Sequence, residues 1–407
     1  MAVLKSFVRE NPSAVFVRAY PYRSFEAIEA DDGFHRGGYE AVAALFTEGE
    51  GTHRELLIKP NLTVGVSPEL AANPAYHGGI TTHPRFIAGL CDGLLERGER
   101  CLTVVEGGIG LGVSVYAQTG YFAMMSEVVG EGPGAATREM RGVRLLWASK
   151  HRFEDFREDE ITWVPVPNGV VHREIPVVTP FRKPGTALIN APTLKTHNLA
   201  VTTLCCKALQ GMVAQGYKHF CASLSAYDDP RAYPPEVLAH FQADFRERVL
   251  HEHARHCAMG LPYWSSNPDP VYGVGRFECW AQRTADMLSA FQPFEEHFLL
   301  NVVEGIIGRN GTAFSQGEDV PVGLVVAGIN PVHVDAIASL LMGHDPQVIP
   351  YLVVARERGL GESDPTRIPV FRLPERTPLT VEELQEMAVP LPVFLHGDAS
   401  RPLLFRQ

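Results

Sequence analysis

The chain has 407 residues, 45% hydrophobic and 20% charged, with a formal net charge of −11 at pH 7. Apolar content at this level excludes a disordered chain, and a core of this size needs no disulfide or metal staple. The acidic balance, without any dense Lys/Arg cluster, excludes a basic nucleic-acid-binding face.

In chain order, residues 1–139 read as a first α/β stretch. Short apolar runs at Ala14–Ala19, Leu56–Lys59 and Leu102–Val105 predict strands. Helical patterns at Gly38–Thr47, Pro84–Arg97 and Ser114–Val129 fall around and between them. In Pro84–Arg97, Phe86, Ile87, Leu90, Leu94 and Leu95 share one face, and Gly98 supplies a stop. Residues 140–185 predict an antiparallel insertion, with short strands at Val143–Trp147, Ile161–Val166 and Val170–Val177. Residues 186–216 begin with a strand, Ala187–Asn190, and continue into a helix from about Ala200. Residues 217–280 form a helical and loop insertion around a helix at Pro235–His256. Residues 281–373 return to α/β, with strands Phe298–Glu304 and Val322–Ala327 and helices Val332–Met342 and Gln347–Arg358. The Pro-rich tail, 374–407, is expected to wrap the surface. The pattern predicts an α/β fold: a mainly parallel sheet with helices on both faces, plus a small antiparallel insertion and a helical one.

Seven cysteines, at 91, 101, 205, 206, 221, 257 and 279, form no C-x-x-C pair. Their spacing predicts free, mostly buried thiols in a reducing compartment. The first residues lack the apolar run of a signal peptide, and no stretch is long enough to span a bilayer. The expectation is a cytoplasmic protein without a membrane partner.

Several segments carry chemistry. Lys59-Pro-Asn61-Leu closes a strand, where parallel sheets place their ligands, so Lys59 and Asn61 are candidate binding residues; a surface turn forced by Pro60 explains them equally well. Thr82 precedes the first turn of a helix. It reads as an N-cap, and the same helix start could hold an anion. The run Gly107-Gly-Ile-Gly-Leu-Gly112 brings its third glycine one place too early for a dinucleotide fingerprint, which argues against a nicotinamide cofactor.

The densest segment is Asn190–Gly211. There Lys195 and His197 precede a predicted helix on which Thr203, Lys207 and Gly211 recur every four residues. Two neighbouring lysines would lower each other's pKa and bind an anion, and His197 could move protons or ligate a divalent metal. The bland alternative is a polar loop and a surface lysine. His251-Glu-His253-Ala-Arg-His256-Cys257 has same-face metal spacing but no third ligand nearby, and reads as a solvated helix end. Glu304, closing a strand before the turn that holds Asn310, is a candidate base or metal ligand, or a solvated carboxylate. Asp335, in the first turn of a helix, is explained by the helix dipole.

Taken together, the segments Lys59–Leu62, Gly79–Pro84, Asn190–His197, Thr202–Gly211, Val303–Gly308, Asn330–Ala338 and Gly359–Gly361 resemble the family called domain of unknown function 362. The resemblance implies an α/β fold. Many relatives carry an added ferredoxin-like cluster module with closely spaced cysteines; this chain has no such iron–sulfur module. Where the family usually has Asp, this sequence has Glu304, and Gly311-Thr312 replaces a Gly-Pro pair, which implies altered specificity. A looser fold-level analogy to nickel-pincer lactate racemases would give Lys195 and His197 a metal-dependent role.

The leading expectation is an enzyme acting on a small anionic metabolite by acid–base or metal-assisted chemistry. Lys195, His197 and Glu304 would be catalytic, and Lys59, Asn61, Thr82, Thr203, Lys207 and Asn310 would hold the ligand. The alternatives are a non-catalytic cofactor- or ligand-binding protein and a metal-dependent racemase or oxidoreductase.

Overall fold

A computed structural model describes residues 1–50, 55–62, 76–108, 112, 114–122, 143–218, 221–261, 275–312, 316–395, 399–400 and 402–405, and the backbone of 137–140. The later part of the expected helix Ser114–Val129 and most of the glycine run after Gly108 lie outside them. Among the described residues twelve strands form one sheet. They are β1 (Val15–Ala19), β2 (Glu55–Pro60), β3 (Leu102–Glu106), β4 (Thr137–Met140), β5 (Val143–Trp147), β6 (Thr186–Ala191), β7 (Thr193–His197), β8 (Val201–Thr203), β9 (Phe298–Arg309), β10 (Asp319–Gly328), β11 (Val370–Arg372) and β12 (Thr377–Pro378). The order is β12-β11-β1-β10-β9-β6-β2-β3-β5-β4, with β7 beside β9 and β8 beside β7.

The centre of this sheet, β9-β6-β2-β3-β5, is parallel throughout. Parallel strands covered on both faces read as unbroken apolar runs, and β3 (Leu-Thr-Val-Val-Glu) is buried at every position. One face carries the helices Gly33–Leu45 and Pro84–Glu96. The other carries Cys205–Ala208, Arg276–Ser289, Pro331–Leu341 and Pro350–Glu357. The chain leaves β2 for the first face and β6 for the second, although β2 and β6 are hydrogen-bonded neighbours. Such a reversal opens a crevice at the carboxyl ends of the two strands.

The fold is the expected one, with differences in particular elements. Val143–Trp147 joins the central sheet parallel to β3 instead of a side sheet; of the expected insertion strands, Ile161–Pro165 and Glu174–Val178 form a separate antiparallel pair, as do Ala2–Leu4 and Phe46–Glu48 elsewhere. The helix expected from Ala200 begins at Cys205. Before it the β-branched run Val201-Thr-Thr203 forms β8, antiparallel to β7 in the register Lys195–Thr203. The helix expected over 235–256 is broken into Pro235–Leu238 and Phe245–Ala258, because the Gln242 N–H is drawn to the Val171 carbonyl at 2.8 Å. The tail does more than wrap the surface: Leu384, Leu391, Val393 and Phe405 are fully buried in the larger core. No helix among the described residues is long and apolar enough to cross a membrane.

Candidate functional site

The crevice is built from strand ends. Lys59 closes β2 and Glu106 closes β3, and both side chains are 1% exposed. Lys59 Nζ lies 3.0 Å from Glu106 Oε1 and 3.1 Å from Oε2, and donates to the Pro60 carbonyl at 3.0 Å. Three acceptor atoms therefore meet the three protons of the ammonium. The Glu106 carboxylate also accepts the backbone N–H groups of Leu62 and Gly107, at 2.9 and 2.8 Å. The pair is a fixed, satisfied floor.

Gly211 packs directly on this floor. A Cβ there would come within 2.3 Å of Glu106 Oε1 and 2.7 Å of Lys59 Nζ, and one on Gly107 would come within 2.1 Å of the Gly211 carbonyl. Beside the pair opens a cavity of about 30 Å³, with Asn61, Thr203, Lys207, Gln210 and Lys218 in its wall. It has room for about two water molecules.

Two donors in this wall lack acceptors. Lys207 is 9% exposed, and its ammonium makes no hydrogen bond or ion pair among the described residues. Gln210 Nε2 is buried without a hydrogen-bond partner among them. Buried donors of this kind cost free energy unless something fills them. Lys218, 2% exposed, donates to Ser149 Oγ at 2.8 Å and to the Gly107 carbonyl. Burial, with Lys59 nearby, pulls its pKa down to about 7.

Of the residues singled out in the sequence, Lys59, Asn61, Thr203 and Lys207 come together in this wall. Thr203 does so from a strand and Lys207 from the following helix, so the expected helical spacing is not what joins them. Lys195, His197 and Glu304 stand on neighbouring strands but not among the residues lining this cavity. Lys195 Nζ donates to the Ile80 carbonyl at 2.5 Å; burial, then Lys207 and Arg309, hold its pKa well below the ordinary lysine value. His197 Nδ1 accepts the N–H groups of Leu199 and Ala200 at 3.0 and 3.2 Å, closing the β7–β8 turn. Burial and then Lys207 keep that imidazole well below its usual pKa. The turn forces Val201 to φ 66°, a strained angle for a β-branched residue.

Glu304 accepts the backbone N–H groups of Ile306 and Ile307 at 3.2 and 3.4 Å, where the β9–β10 register slips. Burial raises its pKa to about 7. Thr82 is a stitch: its Oγ1 accepts the Asn61 N–H at 2.9 Å and donates to the Ala191 carbonyl at 2.7 Å. The helix N-cap is the next residue, His83. Asn310 Oδ1 accepts the Glu318 N–H within the β9–β10 hairpin. Asp335 caps a helix other than its own, accepting the N–H groups of Cys205 and Cys206 at 2.7 and 3.0 Å.

Among the described residues no group of three His, Cys, Asp or Glu is arranged to hold a metal ion. His256, in the His-rich helix, is clasped between Glu278 at 2.7 Å and Glu357 at 3.0 Å. Sequence reasoning missed Glu106, Gln210 and Lys218. Glu106 had a usable signal, an acidic residue ending an otherwise apolar strand. Lys218 had none, because it arrives from the 217–280 insertion.

A family model described as Domain of unknown function (DUF362) matches residues 56–339. No curated protein matches the chain significantly. Among solved structures, a crystal structure of a protein from Thermotoga maritima, a structural genomics target, is 12% identical with a TM-score of 0.38. The alignment covers 76% of this chain and 58% of that one, so this chain spans less than two thirds of that neighbour. A likeness this loose says nothing of function.

Proposed function

The chain belongs to the family described as Domain of unknown function (DUF362), and from that premise we propose that it is an enzyme acting on a small anionic metabolite by acid–base chemistry. The observation that carries the reading is the Lys207 ammonium, nine-tenths buried in a cavity wall and without a counter-charge in contact among the described residues. A carboxylate or phosphate oxygen would fill that place and take a second hydrogen bond from Gln210 Nε2. Lys59 adds positive charge behind the site but is already paired by Glu106. Proton transfer falls to Lys218, which titrates near neutrality on the same wall.

Acid–base work on a carbon acid exchanges its protons with solvent. Mixtures of small carboxylic and phosphorylated metabolites, held in D2O with the protein, are expected to lose the proton signal of one compound by NMR. Lys207→Met should abolish that loss. If some anion raises the melting temperature through Lys207 while no mixture shows exchange or turnover, the protein is a ligand-binding protein and the enzymatic reading is wrong.

A further inference from the structure

The three lysines of the cavity wall are not equivalent. Lys59 Nζ has three acceptor atoms and is satisfied as an ammonium. Lys207 Nζ has none among the described residues. Lys218 Nζ has two, the Gly107 carbonyl and Ser149 Oγ, both neutral. Two acceptors match the two hydrogens of a neutral amine, and they leave its lone pair undirected. A third, ammonium proton would find no acceptor among the described residues. Glu106, the nearest carboxylate in the wall, is occupied by Lys59 and two backbone N–H groups.

From this we propose that Lys218 is a nucleophile that forms an imine with the carbonyl group of a small anionic ligand, a 2-oxo carboxylate being the simplest member of the class. The inference rests on the anion-site reading above for the carboxylate end, with Lys207 and Gln210 as its seat, and gives Lys218 the role of nucleophile in place of that of base. The step balances without any redox partner. The Lys218 lone pair adds to the carbonyl carbon while the C–O π pair moves to oxygen. One proton of the adduct passes from nitrogen to oxygen to give the carbinolamine; a second, taken from solvent, lets that oxygen leave as water and gives the protonated C=N bond, and hydrolysis returns the water and the solvent proton. Burial of the amine, which brings its pKa to about 7, leaves a substantial neutral fraction at neutral pH. The cavity has room for about two water molecules, so the head of such a ligand displaces them and its walls must part to admit it.

The test is reductive trapping on the full chain. Pyruvate and sodium cyanoborohydride are incubated with the wild-type protein at neutral pH, and the modified lysine is located by peptide mass mapping. The expected result is one dominant adduct, on Lys218, absent in Lys218→Arg and at least ten-fold weaker in Lys207→Met. The mapping on wild type needs no variant to fold. An adduct on Lys218 that forms equally with neutral acetaldehyde and ignores Lys207→Met keeps the nucleophile and removes the anion seat. Lys207-dependent stabilisation by pyruvate without any Lys218 adduct overturns the imine and leaves the anion seat standing. Trapping spread over surface lysines, or centred on Lys195, overturns the proposal.

Discussion

At the scale of single residues, burial decides what each charge can do. Glu304 is fully buried among backbone donors, and its pKa is raised to about 7 from an ordinary 4.5. Between those values the folded state keeps a proton that the unfolded chain has released. The stabilisation is therefore complete below about pH 4.5 and is lost as pH rises through about 7. Glu304→Gln stays neutral, so its stability relative to wild type should climb by on the order of 2–3 kcal/mol from pH 4.5 to 7. Urea midpoints at both ends of that range check this; parallel wild-type and variant curves would show that the carboxyl is not protonated in the fold. Glu106 is the fixed partner of a buried ammonium, Lys59. Glu106→Gln should cost about 3–5 kcal/mol by chemical denaturation, while Glu106→Leu with Lys59→Met should recover most of it, since both charges then go together. Equal losses in the single and double variants would count against the buried pair.

At the scale of elements, the legible part was the part with strong periodicity. Pro84–Glu96 shows its buried face in the spacing of Phe86, Ile87, Leu90 and Leu94, and the parallel strands show theirs as apolar runs. The segment after β6 was harder. Its residue types suggested a polar loop and then a helix from about Ala200, but Thr202 Oγ1 is held by Ser339 and Tyr351, and the His197 ring closes a turn at residues 197–201. These tertiary contacts outweigh a weak local helix preference. The 3-10 turn Leu209–Met212 then brings Gly211 onto the Lys59–Glu106 pair. Gly211→Ala should push the pair apart and cost about 1–3 kcal/mol. It should also weaken any Lys207-dependent ligand binding. A variant with wild-type melting temperature and wild-type binding would mean that the glycine is incidental.

At the scale of the molecule, a change of face between two neighbouring parallel strands places the site. β2 and β6 lie side by side, their following helices pack on opposite faces, and the crevice at their ends collects Lys59, Glu106, Lys207 and Lys218 from four separated stretches of chain. The sequence placed Lys59 at a strand end and Lys207 on a predicted helix, and so pointed at both. It could not show that Lys195, His197 and Glu304 turn toward backbone groups, because those contacts depend on the β7–β8 hairpin and the register slip in β9. Nor could it show that Lys218 reaches back from a distant insertion. The central claim is that the Lys207 ammonium, without a counter-charge among the described residues, is the seat of an anion, and crystals soaked in bromide test it most directly. Anomalous diffraction is expected to show an ion within hydrogen-bonding distance of both Lys207 Nζ and Gln210 Nε2. Bromide peaks confined to the outer surface, with this cavity holding only water, would contradict the account.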